Sequence, residues 1–255
     1  MKYLIALTFL FVSFSAHADT IVGITIDHIN KRNKPVTVSS SDHPVRLGSK
    51  ALLFKVGKGD CRGNKYYNDC KNGRARSEIA DRKRIRTDTE TWYSFSLFVP
   101  ESTPALGKNT GTILAQFQDT KGSGEITLGF ALWPEGLELT QDDPKTRQTD
   151  DNDPPRPMVI KTIVPDYAVR ERWHDITVQA VWSTKPSGMI KVWLNGRLVH
   201  SHKGRNLNRS VAPAFKFGVY QSGLKKLKGT IPTQMVYFDE IKRGASQAAV
   251  ALIKN

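Results

Sequence analysis

Between residues 21 and 241 the chain is cut into short β-prone runs. They fall at 21–26, 36–39, 51–56, 91–99, 112–118, 125–132, 158–163, 173–182, 189–194, 214–221 and 235–241, with Asn, Asp, Gly and Pro between them. Many short strands with turn signals between them predict an all-β fold, a jelly-roll sandwich of concanavalin-like build with a concave face. Asn195-Gly196 stands between two strand-like halves, the strongest short hairpin signal a sequence offers. Only 245–253 has a helix-like composition, and no internal repeat is found.

Lys2, an apolar run from Tyr3 to Phe14 and the small-residue segment Ala16-His17-Ala18 have the layout of a secretory signal cut after Ala18. The run is too short to span a bilayer, and no later segment approaches about 18 consecutive apolar residues. Residues 19–255 are therefore expected to form one exported domain, secreted or periplasmic and monomeric. Cys61 and Cys70 close a short polar loop, and in an oxidising compartment they read as a disulfide, with no third or fourth metal ligand nearby in sequence. The formal charge of +14 points to a polyanionic partner. Export favours anionic polysaccharide over nucleic acid, for which no motif exists, and no basic amphipathic helix argues for a membrane. The stretch 141–157 is acidic, proline-bearing and aperiodic, so it reads as a long exposed loop, with a calcium site or a lid over a groove as alternatives. No other cofactor is expected.

The chemistry concentrates in three strand-like pieces. In 215–222, alternation puts Phe215, Phe217 and Val219 on one face and Lys216, Gly218, Tyr220 and Ser222 on the other. The second face carries a cation, a gap and a phenol in a row, a sensible set for a groove in which Gly218 leaves room for a sugar ring. In 74–79 one face carries Arg74, Arg76 and Glu78. In 113–118 the face opposite Ile113, Ala115 and Phe117 carries Leu114, Gln116 and Gln118.

In that order and at wide spacing, the pieces Arg-Ser-Glu-Ile, Gln-Phe-Gln and Lys-Phe-Gly-Val-Tyr-Gln resemble the signature strands of the jelly-roll polysaccharide lyases. In alginate lyases these read Arg-x-Glu-x-Arg, Gln-Ile/Val-His and Tyr-Phe-Lys-x-Gly-x-Tyr-x-Gln. The wider context looks most like the heparin lyase I and glucuronan lyase group: Gly59-Asp60-Cys61, 92–100, Trp173-His174-Asp175 and Trp193-Leu194-Asn195-Gly196. The likeness runs from about Val45 to Ile241.

The resemblance implies β-elimination on a uronic-acid polymer. The proton on C5 is removed, O4 is expelled and protonated, and the neighbouring carboxylate is neutralised so that the weakly acidic C5 proton can leave. It implies Arg76 and Gln116 on the carboxylate, Glu78 orienting Arg76, and Tyr220 as base and then acid. Gln118, Lys216, Arg74, Arg82 and Gln221 complete the substrate-facing set. A phenol ionises near pH ~10, so Lys216 and Arg76 are expected to pull Tyr220 down.

The chain departs from the pattern at several points. Gln118 stands where alginate lyases carry a histidine, and a glutamine takes no proton. Ala80 replaces the last arginine of the first motif, with Arg82 and Arg84 following on alternate positions; Ala214 replaces the leading tyrosine, and Ser222 the last glutamine. Among the six histidines, His17 falls in the signal, His28 and His43 in early loops, and His200 and His202 after a hairpin, while His174 reads as structural.

Two other function classes compete with the lyase. A glycoside hydrolase needs two carboxylates flanking the bond, and Glu78 lacks a partner at the required spacing. A non-catalytic module binding acidic glycan would keep the cationic groove, but it would not need a phenol beside a cation. No serine-nucleophile elbow occurs.

Overall fold

The computed structural model describes residues 20–63, 68–83, 85–107, 109–119, 124–142, 144, 157–227 and 229–252. The apolar segment 1–18 lies outside them, as does most of the 141–157 stretch read as an exposed loop with a calcium site or lid as alternatives; at its ends Gln141, which is buried, and Asp142 belong to a strand, and Pro157 opens another. The strands are β1 (Ile21–Val22), β2 (Ile26–His28), β3 (Val36–Ser39), β4 (Lys50–Val56), β5 (Ala75–Asp81), β6 (Glu90–Phe98), β7 (Thr112–Gln118) and β8 (Ile126–Trp133). They continue with β9 (Gly136–Asp142), β10 (Pro157–Pro165), β11 (Trp173–Val181), β12 (Met189–Leu194), β13 (Arg197–Lys203), β14 (Ala214–Gln221) and β15 (Gln234–Gly244). One helical turn, α1 (Asp69–Asn72), precedes β5.

Two sheets form the jelly roll. One is ordered β13-β12-β11-β6-β15-β4-β3, with β1 lying parallel beside β15; the other is ordered β10-β9-β8-β7-β14-β5-β2. The catalytic candidates all sit on the second sheet, where β14 is held between β7 and β5 although the three are far apart in sequence. The alternation read from 215–221 has the expected result on one side. Phe215, Phe217 and Val219 are buried. Phe217 meets Phe54 and Phe238 of the opposite sheet at ring separations of 5.8 and 5.7 Å, and Phe215 meets Phe95 at 5.7 Å. Each such ring contributes about 2 kcal/mol by burial, so the core anchors β14 from beneath and fixes which side chains turn outward.

The hairpin signal holds: Asn195 and Gly196 have φ of 49° and 79°, both positive as a two-residue I′ turn requires, and Leu194 pairs with Arg197. The expected run 21–26 is two strands in different sheets. Gly23, at φ 72°, packs so closely on the Arg243 carbonyl that a Cβ would lie 2.2 Å from it, and there the chain crosses from β15 to β5. Strand β9 was not foreseen, and it pairs with both β8 and β10. The helix-like tail contains a 3-10 turn at Ala248–Val250.

Candidate active site

Cys61 and Cys70 form a disulfide with a Cα separation of 5.1 Å. It closes the loop from which α1 emerges. Asn68 caps that turn by accepting from the Lys71 N–H, and Gly73 ends it in the left-handed region at φ 63°. The turn buries Asp69, and β5 follows at once. On β5, Arg76 lies opposite Tyr220 of β14, Glu78 opposite Gly218, and Ala80 opposite Lys216. On the other side of β14, Lys216 faces Gln116 and Tyr220 faces Ile113. Three strands thus present Arg76, Glu78, Gln116, Gln118, Lys216 and Tyr220 together, as the sequence implied.

The partners of these groups are more specific than the sequence allowed. Arg76 donates through Nε and Nη2 to the two oxygens of Asp69, both at 2.8 Å, and through Nη1 to Glu78 at 3.1 Å. Glu78 also accepts from the amide of Gln116. Arg76 and Gln116 are therefore joined through a shared carboxylate, with Glu78 orienting Arg76 as expected. Lys216 donates its ammonium to the side-chain oxygen of Gln118, whose own amide donates to the Gly124 carbonyl at 2.6 Å. Gln118 occupies the predicted histidine position and uses both ends of its amide to hold a lysine and a loop.

Tyr220 is 8% exposed, and the Arg76 guanidinium carbon lies over its ring, 4.1 Å from the centroid. Its hydroxyl has no hydrogen-bond partner among the described residues. Burial pushes the phenol up, and Arg76 and Arg74 pull it back only in part, with Asp69 and Glu78 opposing them. The expected downward shift is thus reversed. Lys216 turns to Gln118 instead of the phenol, and Asp69, which the sequence did not single out, offsets the charge of Arg76. Lys216 itself is pushed down by burial, against the opposing pull of Glu78.

A family model described as polysaccharide lyase matches residues 21–242. The chain belongs to the polysaccharide lyase family. Solved structures of similar fold include endo-β-1,4-glucuronan lyase from the fungus Trichoderma reesei, with a TM-score of 0.64 and 20% identity over 89% of this chain and 93% of that one. Alginate lyase vAL-1 from Chlorella virus has a TM-score of 0.52 and 14% identity over 88% of this chain and 93% of that one. Alginate lyase from Klebsiella pneumoniae has a TM-score of 0.51 and 12% identity over 78% of this chain and 82% of that one. No curated protein sequence matches the chain.

Other predicted residues of this lyase lie at the margins of the network. Arg74 is exposed, just ahead of β5, and forms no ion pair among the described residues. Arg82 is exposed too and pairs with Asp27 at 3.0 Å. It borders a cavity of about 700 Å³ lined also by Lys83, Arg86, Ala80 and Ala214, directly beyond Lys216. Gln221 is a correction: it is fully buried, opposite Ala75 and Thr112, and its parity with Val219 turns it away from the groove. Leu114 and Ile113 exchange their expected faces. A bulge between β7 and β8 turns Leu114 into the core and leaves Ile113 half-buried beside Tyr220. Gly218 does not make room for a sugar, because its missing Cβ would point inward, 2.4 Å from the Ser77 carbonyl and 2.7 Å from the Phe54 ring.

No histidine of the lyase joins the network among the described residues. His174 is buried against the Val169 carbonyl at 2.9 Å, in keeping with the structural role read from sequence, and His200 bonds to Gln141 at 2.6 Å. His43 bonds to the Tyr237 hydroxyl at 3.0 Å, and His202 to the Arg205 carbonyl at 3.1 Å. Among the described residues no group of three or more His, Cys, Asp or Glu is placed to hold a metal ion.

Proposed function

We propose that this lyase cleaves a uronic-acid-containing anionic polysaccharide by β-elimination, as an exported protein, secreted or periplasmic. The observation that carries the reading is Tyr220: a phenol on the face of β14 opposite Phe215, Phe217 and Val219, with no hydroxyl partner among the described residues and with the guanidinium of an arginine held by two carboxylates over its ring. As phenolate it takes the C5 proton while the C4–C5 double bond forms. The C4–O4 bond breaks, and the same phenol returns the proton to O4. The phenolate that begins each cycle is thereby restored, and one residue serves as base and acid.

Neutralising the substrate carboxylate needs a cation that still faces outward. Arg76 is already engaged by Asp69 and Glu78, and the pair of carboxylates repels a third. Arg74 is exposed, two residues before the Arg76 that lies opposite Tyr220, and its charge works against the upward push of burial on the phenol. Arg74 then takes the carboxylate of the sugar being cleaved, and Arg76 contributes positive field from beneath. The cavity bounded by Ala80 and Ala214 carries Lys83 and Arg86 together with Arg82 and Asp81, whose charges are met by Asp27 and Arg243, and its remaining positive charge suits a neighbouring acidic residue of the polymer. The glucuronan and alginate specificities of the fold relatives support the uronan class.

The test is to incubate the protein with glucuronan, alginate and heparin separately and follow the ultraviolet absorbance of the C4–C5 double bond. Growth of that signal on one of them, lost in Tyr220→Phe, is the expected result. Binding to these polymers with no unsaturated product on any of them would favour a glycan-binding module instead.

A further inference from the structure

Asp69 is a buried acid, 1% exposed, and among the described residues every hydrogen bond of its carboxylate goes to one group, the Arg76 guanidinium. It approaches with both oxygens, on Nε and Nη2, the arrangement that fixes the plane of a guanidinium as well as its position. Glu78 holds the third corner at Nη1. The guanidinium so fixed lies over the Tyr220 ring, its carbon 4.1 Å from the centroid.

Asp69 is itself held by the disulfide loop. It immediately precedes Cys70, its N–H donates to the Arg62 carbonyl at 2.8 Å, and the Arg76 N–H donates to the Asp60 carbonyl at 2.9 Å. Residues 60, 62, 69 and 76 thereby bracket the bridge between Cys61 and Cys70. An isolated helical turn of four residues has almost no stability of its own, so the cross-link supplies what helix formation cannot. Cys70 is exposed and borders a shallow pocket with Arg74 and Lys225, so the bridge is open to reductants.

We propose that Asp69 is a positioning residue of the active site and that the Cys61–Cys70 bridge holds it there, which makes turnover sensitive to the redox state of this one disulfide. The inference rests on Tyr220 being the proton shuttle. Asp69 touches no substrate; it acts through Arg76. The charged groups around the Tyr220 phenol are Arg76, Arg74, Asp69 and Glu78, with Lys216 on its own strand committed to Gln118. Removing the Asp69 charge leaves Arg76 less compensated, which favours the phenolate, while the loss of the fork lets the guanidinium plane rotate away from the position that serves the transition state.

The experiment compares wild type, Asp69→Asn, a Cys61→Ser/Cys70→Ser double variant and wild type after mild reduction. Tyr220 ionisation is followed by tyrosinate absorbance, taken as the difference from Tyr220→Phe. In Asp69→Asn, Tyr220 should ionise lower by about one pH unit, and kcat should fall by roughly tenfold or more with KM changed far less. The reduced and double-serine proteins should move the same way. A folded Asp69→Asn protein with the wild-type titration and kcat overturns the proposal. If that variant does not fold, reduced wild type with intact circular dichroism decides: unchanged titration and turnover overturn it. A wild type that makes no unsaturated product refutes the lyase reading alone, because the titration still judges the Asp69–Arg76–Tyr220 link.

Discussion

Lys216 on β14 donates its ammonium to the side-chain oxygen of Gln118 on β7, the residue at the position where alginate lyases carry a histidine. The pair replaces a proton-transfer group with a fixed charge, and the second end of the glutamine is tied to Gly124. Gln118→Ala should therefore release both the lysine and the loop, with a loss of about 10–100-fold in kcat/KM, since a misplaced charge near the chemistry costs on that order. Gln118→His should not raise turnover if, as proposed, Tyr220 serves as both base and acid. Steady-state kinetics on the polymer that yields unsaturated product checks both; a strong gain from the histidine would show that a second base was wanted.

Tyr220→Phe should reduce kcat by about 10²–10⁴-fold, the range for removing a general acid–base group, while affinity measured by calorimetry changes little. Retained turnover would remove Tyr220 from the mechanism.

The sign of the Tyr220 shift sets the pH dependence. The phenol is pushed above 10 by burial, so it is protonated at neutral pH and the base form is scarce. The rate in the free enzyme should thus rise with pH through the neutral range and continue to rise into the alkaline. A kcat/KM profile that is flat from neutral to alkaline pH would contradict this assignment.

Asp142, at the end of β9, is pushed up to about 7 by burial and then by Glu125. Its folded form holds a proton that the unfolded chain releases near 3.8, so stability is full below that value and falls as pH rises towards 7. Asp142→Asn should therefore be more stable than wild type at pH 8, by about 1–2 kcal/mol, and nearly equal to it under acid conditions. Melting temperatures across that range test it.

Gly218→Ala should destabilise the fold by roughly 2–4 kcal/mol, because φ is 131° and the added methyl would meet the Ser77 carbonyl and the Phe54 ring. Chemical denaturation measures the loss. Activity should fall with it, since Lys216 and Tyr220 flank the glycine.

The sandwich was legible in the chain because short alternating runs and turn residues are local signals. Strand β9 carries such a signal too, with Leu137, Leu139 and Gln141 buried on alternate positions, but it is short, and the acidic stretch read as a loop from Gln141 overlaps its last two residues. The site was legible to the extent that strand parity holds. Arg76, Glu78, Gln116, Lys216 and Tyr220 follow it, whereas Leu114 does not, because a bulge depends on the partner strand and leaves no mark in a single sequence. Asp69 was missed for a different reason. It lies in a loop, so no periodicity points to it; the nearest cue was its place beside Cys70, which marks residues whose position a cross-link fixes. The sign of the Tyr220 shift was missed because burial outweighs cations, and burial is a property of the assembled groove.

The crossing at Gly23 bears on how the molecule comes together. Its carbonyl accepts from Arg243 across a sequence separation of 220 residues, and the strands on either side of it belong to different sheets. β2 finds its partner β5 by residue 81, whereas β1 cannot pair until residues 241–242 of β15 are available, so the β1–β15 closure carries the largest loop-entropy cost of the strand pairings. The two ends of the chain act as a clasp. A chain interrupted before Ile241 would leave β1 without its partner and part of β6 unpaired in the first sheet, a state more exposed to association with its own kind.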